Sequence, residues 1–256
     1  MIGDRGLGWR GLTMLLGAGV AWELGVRATA TPSYLLPAPS KVLATIADDI
    51  SALIPAAGVT LAEALVGLAI GGSLGLILAI VITFWVRLEQ GVLSLALLAK
   101  STPVIAIAPI LTIWLGFGHA PKVIVVAILT FFPILINALE GLRSVDRDLM
   151  AWLHSIDASR SEIFRTARMP TALPQIFAAL RISAPLALIG AVVAEWMGAS
   201  EGLGRTMWLA YTNLDMPSLF AAVVILTILS ALVYRLVAFT EERIVFWRNV
   251  TPEPAS

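Results

Sequence analysis

Cysteine is absent from this 256-residue chain, which excludes disulfides and thiolate metal sites. Charge is scarce. Asp, Glu, Lys and Arg make up 13% of residues, about half the share of a soluble domain, while 59% are hydrophobic. That balance argues against a soluble protein with one large core. Formal net charge is zero, so nothing draws the chain to nucleic acid. The two histidines, His119 and His154, are too few and too far apart for a metal cluster. No G-x-x-x-x-G-K-(S/T) phosphate loop occurs, so the chain is not expected to hydrolyse ATP itself. Neither histidine has an obvious partner, and no His, Asp, Glu or Ser cluster points to an intramembrane enzyme.

What the chain has is long apolar runs. A helix needs about 20 apolar residues to cross the hydrocarbon core. Six segments meet or approach this, near 10–27, 60–85, 92–115, 121–139, 177–198 and 218–240. The fold expected is all-α, a polytopic membrane protein of about six spans. The first segment carries Glu23 and several glycines, and Ala28-Thr29-Ala30 resembles a cleavage site, so a signal peptide stays open beside a retained span.

Basic residues set the orientation. With the N-terminus inside, Arg5, Arg10, Arg87, Arg143, Arg147, Arg160, Arg165, Arg168, Arg243 and Arg248 are cytoplasmic, ten in all, against four outside: Arg27, Lys41, Lys122 and Arg205. Both termini are therefore expected in the cytoplasm. Tryptophans fall at the boundaries, Trp9, Trp85 and Trp247 at inner ends and Trp114, Trp196 and Trp208 near outer ones. The chain reads as one membrane-spanning domain over 1–256. It comprises a first span with an outer segment (1–57), a core (58–240), a cytoplasmic loop (140–176) within that core, and a tail (241–256). In the outer segment Ser40 is the expected N-cap of a short amphipathic helix extending to residue 57.

Within the spans, Gly67, Gly71 and Gly75 form a small-residue stripe, as do Gly190, Ala194 and Gly198. Such stripes let backbones approach, either inside one subunit or across a dimer. Pro103, Pro109, Pro133 and Pro185 interrupt spans. Lys100, Thr102 and Pro103 are candidates for lining a translocation path, with Glu195 near the outer end of the fifth span as a fourth. Lys100 also fits a snorkelling reading, and Glu195 one in outer water. Glu63 reads as exposed at the outer surface.

The loop is the polar feature of the chain. Ser144 is the expected cap of a first short helix carrying Leu149, Trp152, Leu153 and Ile156. Asp157-Ala158 breaks the pattern, and Ser159-Arg160-Ser161-Glu162 matches a capping box. The second helix carries Ile163 and Phe164, then Arg165 and Arg168. Pro170 and Pro174 close the loop. Two readings stand: an amphipathic loop on the membrane surface, or a docking surface whose Ile163 and Phe164 plug a groove on a partner.

These residues resemble the permease subunits of ATP-binding-cassette importers, in the branch handling nitrate, taurine, alkanesulfonates and pyrimidine precursors. The resemblance rests on LPAPSKVL at 36–43, TLAEALVGLAIGGSLG at 60–75 and KSTPVIAIAPILTIWLGFG at 100–118. It continues in FFPILINALEGLRSVD at 131–146, DASRSEIFRTARMPTALP at 157–174 and LIGAVVAEWMGASEGLG at 188–204. The family's loop signature is EAA, three residues, Gly, nine residues, then Ile-x-Leu-Pro. Here those positions hold Ala151, Trp152, Leu153, Asp157, Ala167 and Met169-Pro170, so only the proline is kept.

The resemblance implies a type I importer fold, a bacterial inner-membrane location and a coupling-helix loop between the fourth and fifth spans. It implies docking of an ATPase subunit through Ser159, Arg160, Glu162, Ile163, Phe164, Arg165 and Arg168. It further implies a second permease copy, identical or homologous, and an extracytoplasmic solute-binding protein. ATP and Mg would be bound by the ATPase, with no cofactor in this chain. The activity implied is passage of a small polar or anionic solute by alternating access. A secondary transporter or channel is the rival, and would call for inverted repeats or paired midplane charges.

Overall fold

The computed structural model describes residues 4–101 and 103–249, and among them every regular element is helical. Helix α1 spans Asp4–Ala28, α2 Pro39–Asp48 and α3 Ile50–Phe84. A short turn leads to α4 (Glu89–Ser101), then α5 (Val104–Leu115) and α6 (Ala120–Arg143). The loop holds α7 (Arg147–Ser155) and α8 (Arg160–Ile163). A widened π-turn at Phe164–Arg168 joins α8 to α9 (Met169–Glu195). Helices α10 (Leu203–Thr212) and α11 (Met216–Ile244) complete the fold.

Among the described residues, four helical stretches are long and apolar enough to cross a membrane, namely α3, α6, α11 and the continuous run Arg160–Glu195. The expected third span, 92–115, is not one rod. It divides into α4 and α5, with Pro103 extended (φ −62°, ψ 106°) as the N-cap of α5. Proline has no N–H to continue α4, and it disfavours helical backbone just before it. Pro109, inside α5, does not break its helix.

Two boundaries also move. Ser40 does not cap α2. Ala38 holds that position with Pro39 in the first turn, while the Ser40 hydroxyl donates to Glu23 Oε1 at 2.8 Å. Residues 50–57 belong to α3, not to the outer amphipathic helix. Pro170 and Pro174 end nothing, since both lie within α9. The π-turn ends two residues before Pro170, where a backbone donor is missing.

In lipid the hydrophobic effect does not drive helices together, so close packing must do so. The glycine stripe supplies it within this chain. A Cβ on Gly67 would lie 2.5 Å from Val126 Cβ, and one on Gly75 would lie 2.8 Å from the Phe131 carbonyl oxygen. At Gly71 it would strike the Ala127 carbonyl oxygen. These residues thus seat α3 against α6. Helix α9 packs on the other side of α6, with Gly141 against Ala172 and Gly190 against Leu129. The charge inside the fifth span is also paired, Arg181 Nε lying 3.1 Å from Glu241 Oε2 on α11.

Candidate functional site

Two polar regions occupy opposite ends of the α3–α6–α9 core. At one end is the loop. Helix α6 closes with Arg143, whose guanidinium donates both Nη atoms to the Glu89 carboxylate at 2.6 Å each. This fork ties the start of α4 to the end of α6 and holds the Glu89 carboxyl below its usual range. Ser144 belongs to α6 as its C-cap and donates to the Gly141 carbonyl at 2.9 Å. The cap of α7 is Asp146, two residues later than expected, accepting from the amides of Asp148 and Leu149 at 2.9 and 3.1 Å.

The corner between α7 and α8 turns on Asp157, in the left-handed region at φ +52°. Aspartate takes here the conformation that glycine would adopt with less strain. The capping box then forms as the sequence predicts. The Glu162 amide donates to Ser159 Oγ at 3.3 Å, and the Ser159 amide donates to Glu162 Oε2 at 2.7 Å. The Ser159 hydroxyl and amide hold the Glu162 carboxyl below its usual range.

The loop's apolar residues divide differently from the expectation. Ile163 is buried with Leu153 and Ala167 beneath the loop, and Phe164 is half-buried with its ring 5.3 Å from that of Phe84 at the end of α3. Both are committed to this chain, because α8 and the π-turn must seal the end of the core. The outward apolar face belongs to α7. There Leu149, Trp152 and Ile156 are exposed, Trp152 to 58%, while Leu153 points inward. The spacing of these residues was legible; which side faced out was not. Arg160, Glu162 and Arg165 are exposed, and Arg168 is half-buried.

At the opposite end lies a buried polar knot. Glu195, 1% exposed, accepts from the Thr60 hydroxyl at 2.6 Å and from the Gly204 amide at 2.5 Å. Thr60 Oγ1 in turn accepts from the Leu203 amide at 2.8 Å. One carboxylate and one hydroxyl thus satisfy the orphan donors at the start of α10 and bind it to α3 and α9. Gly202, at φ +104°, leaves room for the carboxylate, which a side chain there would strike.

Lys122 is also buried, donating Nζ to the Phe117 and Gly118 carbonyls at 2.8 Å each. Glu63 is buried, not exposed, and lies 2.7 Å from His119 Nδ1. Sequence spacing missed the Glu63–His119 partnership, because the two are 56 positions apart and on different elements. Glu195 does not face outer water, since its partners fill the space around it. Of the other path candidates, Pro103 is exposed at the α4–α5 break. The Lys100 side chain and Thr102 lie outside the described residues.

Comparison with known proteins agrees with this architecture. The family described as binding-protein-dependent transport system inner membrane component matches residues 71–246. The formylaminopyrimidine transport permease protein ThiX of Halalkalibacterium halodurans is 37% identical, over 90% of this chain and 92% of its own. The riboflavin transport system permease protein RibX of Chloroflexus aurantiacus is 33% identical, over 89% and 86% respectively. The putative aliphatic sulfonates transport permease protein SsuC of Bacillus subtilis is 27% identical, over 96% and 91%. A chain of the MetNI methionine ABC transporter, solved in inward-facing conformations, superposes with a TM-score of 0.65 at 21% identity, covering 79% of this chain and 98% of its own. That last likeness is one of fold.

Proposed function

The chain belongs to the family of binding-protein-dependent transport system inner membrane components, as a permease subunit of an ATP-binding-cassette importer, and from that premise we propose how it couples and what it carries. The loop of α7 and α8 is the seat of the ATPase subunit. The single observation carrying this is the exposed stripe of Leu149, Trp152 and Ile156 on a helix held rigidly from below by Leu153 and Ile163. An aromatic anchor on a stapled helix is the form a protein–protein hot spot takes. Ser159, Arg160, Glu162 and Arg165 border that stripe, while Ile163, Phe164 and Arg168 support it from the chain's own side.

A second copy of the chain completes the pore. Helix α5 buries Ala108 against Val125 and Ala194 but leaves Ile113 and Trp114 uncovered, with Phe117 exposed just beyond its end, a face suited to a partner permease and the solute path. Pro103, Lys100 and Thr102 lead into that helix. Both termini are cytoplasmic, as the basic residues favour. Outside, a binding protein delivers the solute, a small polar or anionic molecule of the sulfonate, taurine, nitrate or pyrimidine-precursor class. The similarity to ThiX weighs toward the last. ATP and Mg sit on the partner ATPase, and its closure drives alternating access here.

The test is co-purification from membranes in mild detergent. The parent is expected to recover an ATP-binding-cassette ATPase, and Trp152→Asp to lose it while the permease remains folded. Recovery undiminished by Trp152→Asp would remove α7 from the contact.

A further inference from the structure

Behind the exposed stripe, and sharing Arg160 with its border, is a cavity of about 270 Å³ between the loop and the end of α3. Its polar wall is Arg160, Arg168 and His154; its apolar wall includes Phe84, Val86 and Phe164. Among the described residues no carboxylate lines it, and none of its three basic side chains makes an ion pair or a side-chain hydrogen bond. Nearby carboxylates are engaged elsewhere, Glu162 by the Ser159 amide and Glu89 by Arg143. Two guanidiniums with no counter-charge, set around a partly enclosed space, make a site for an anion with several acceptor oxygens.

The surroundings identify the source of that anion. The apolar wall is the terminal turn of a membrane-crossing helix, and the next residue, Trp85, is 62% exposed, as aromatics are at the membrane interface. From Val86 a second, open groove of about 570 Å³ runs along α4, lined by Leu93 and Leu97 on one hand and by Arg87, Glu89, Gln90 and Ser94 on the other. Glu89 is already held by Arg143, and Val86, Leu93 and Leu97 leave an apolar strip beside the anion site, which fits a phosphate carried on an acyl chain better than a free one.

We propose that the cavity binds the phosphate of an anionic phospholipid through Arg160 and Arg168, with the glycerol against Phe84 and an acyl chain along Leu93 and Leu97. The lipid would fix the underside of the docking loop to the membrane, so that the loop and the end of α3 move together. The inference rests on the importer reading only for the side of the membrane concerned. The lipid site itself is measured without the ATPase.

The experiment is native mass spectrometry of the full chain in detergent. It is titrated separately with phosphatidylglycerol, with phosphatidylcholine of the same acyl chains, and with inorganic phosphate. The parent is expected to retain phosphatidylglycerol preferentially, and Arg160→Gln/Arg168→Gln to bind it about thirty-fold more weakly. A photoreactive phosphatidylglycerol headgroup should label the parent on the peptide spanning Arg160–Arg168. That readout does not depend on the variant folding. Equal retention of the two lipids, or labelling confined to other peptides, overturns the proposal. Displacement of the lipid by inorganic phosphate at matched concentration would make the site one for free anions and overturn the lipid assignment. A double variant that keeps its lipid but loses the ATPase would assign the arginines to an acidic surface of that partner and likewise overturn it.

Discussion

Replacing Thr60 by valine removes one hydroxyl and almost no volume, yet it should be among the more damaging changes in the protein. Thr60 is fully buried, and its hydroxyl donates to Glu195 at 2.6 Å, lies 3.2 Å from the Ala56 carbonyl oxygen and accepts the Leu203 amide at 2.8 Å. Valine leaves the Leu203 N–H without an acceptor, at about 1–3 kcal/mol, and withdraws one donor from a buried carboxylate, at about 1.5–3 kcal/mol. The Gly204 amide remains on Glu195 and limits the loss. A net cost of about 3 kcal/mol corresponds to a fall in Tm of roughly 6–12 °C for a chain of this size. The assay is thermal unfolding in detergent at one fixed scan rate, because unfolding of such proteins is commonly irreversible. Thr60→Ser is the control. It keeps the hydroxyl, loses one methyl and should cost about 1 kcal/mol. If valine were as stable as serine, the hydroxyl would not be holding α10, and the account of the polar knot would be wrong.

The packing of α3 on α6 gives a second expectation. Gly71→Ala should destabilise by at least about 1–3 kcal/mol, because its Cβ meets backbone that cannot yield. Gly58→Ala, with nothing near the new methyl, should be neutral or stabilising by up to about 1 kcal/mol in the same unfolding scan. The third concerns pH. Glu162 has its carboxyl lowered from 4.5, so the capping box contributes fully above that value and is lost as pH falls through the lowered one. Hydrogen-exchange protection of the Ser159 amide should drop over that acid range in the parent. In Glu162→Gln it should show no such step, and a step persisting there would assign the titration to another group.

What the sequence made legible was what composition and short-range pattern can carry. The long apolar helices announce themselves by length, and the Ser159–Glu162 capping box is complete within four residues. Ser144 and Asp146 show where local pattern fails. Both are good caps at nearly the same place, and only the observed end of α6 assigns the serine backward and the aspartate forward. Ile163 and Phe164 fail for another reason. An amphipathic segment declares an apolar side but not whether its own chain or a stranger covers it, and here Leu153 and Phe84 do. Glu63 was placed near water, and Glu195 left between path and water, because each was weighed alone. Their partners, His119 for Glu63 and Thr60 for Glu195, come from distant elements that only folding brings together.

The unbroken run from Arg160 to Glu195 has a mechanical consequence. Its 36 residues form a rod about 54 Å long, with the proposed docking corner at one tip and the Thr60–Glu195 knot at the other. A rod converts a small sideways push into a rotation. A 4 Å displacement of the corner, pivoted at the knot, tilts the rod by about 4°. The π-turn at Phe164–Arg168 gives that lever a wrist just above its handle.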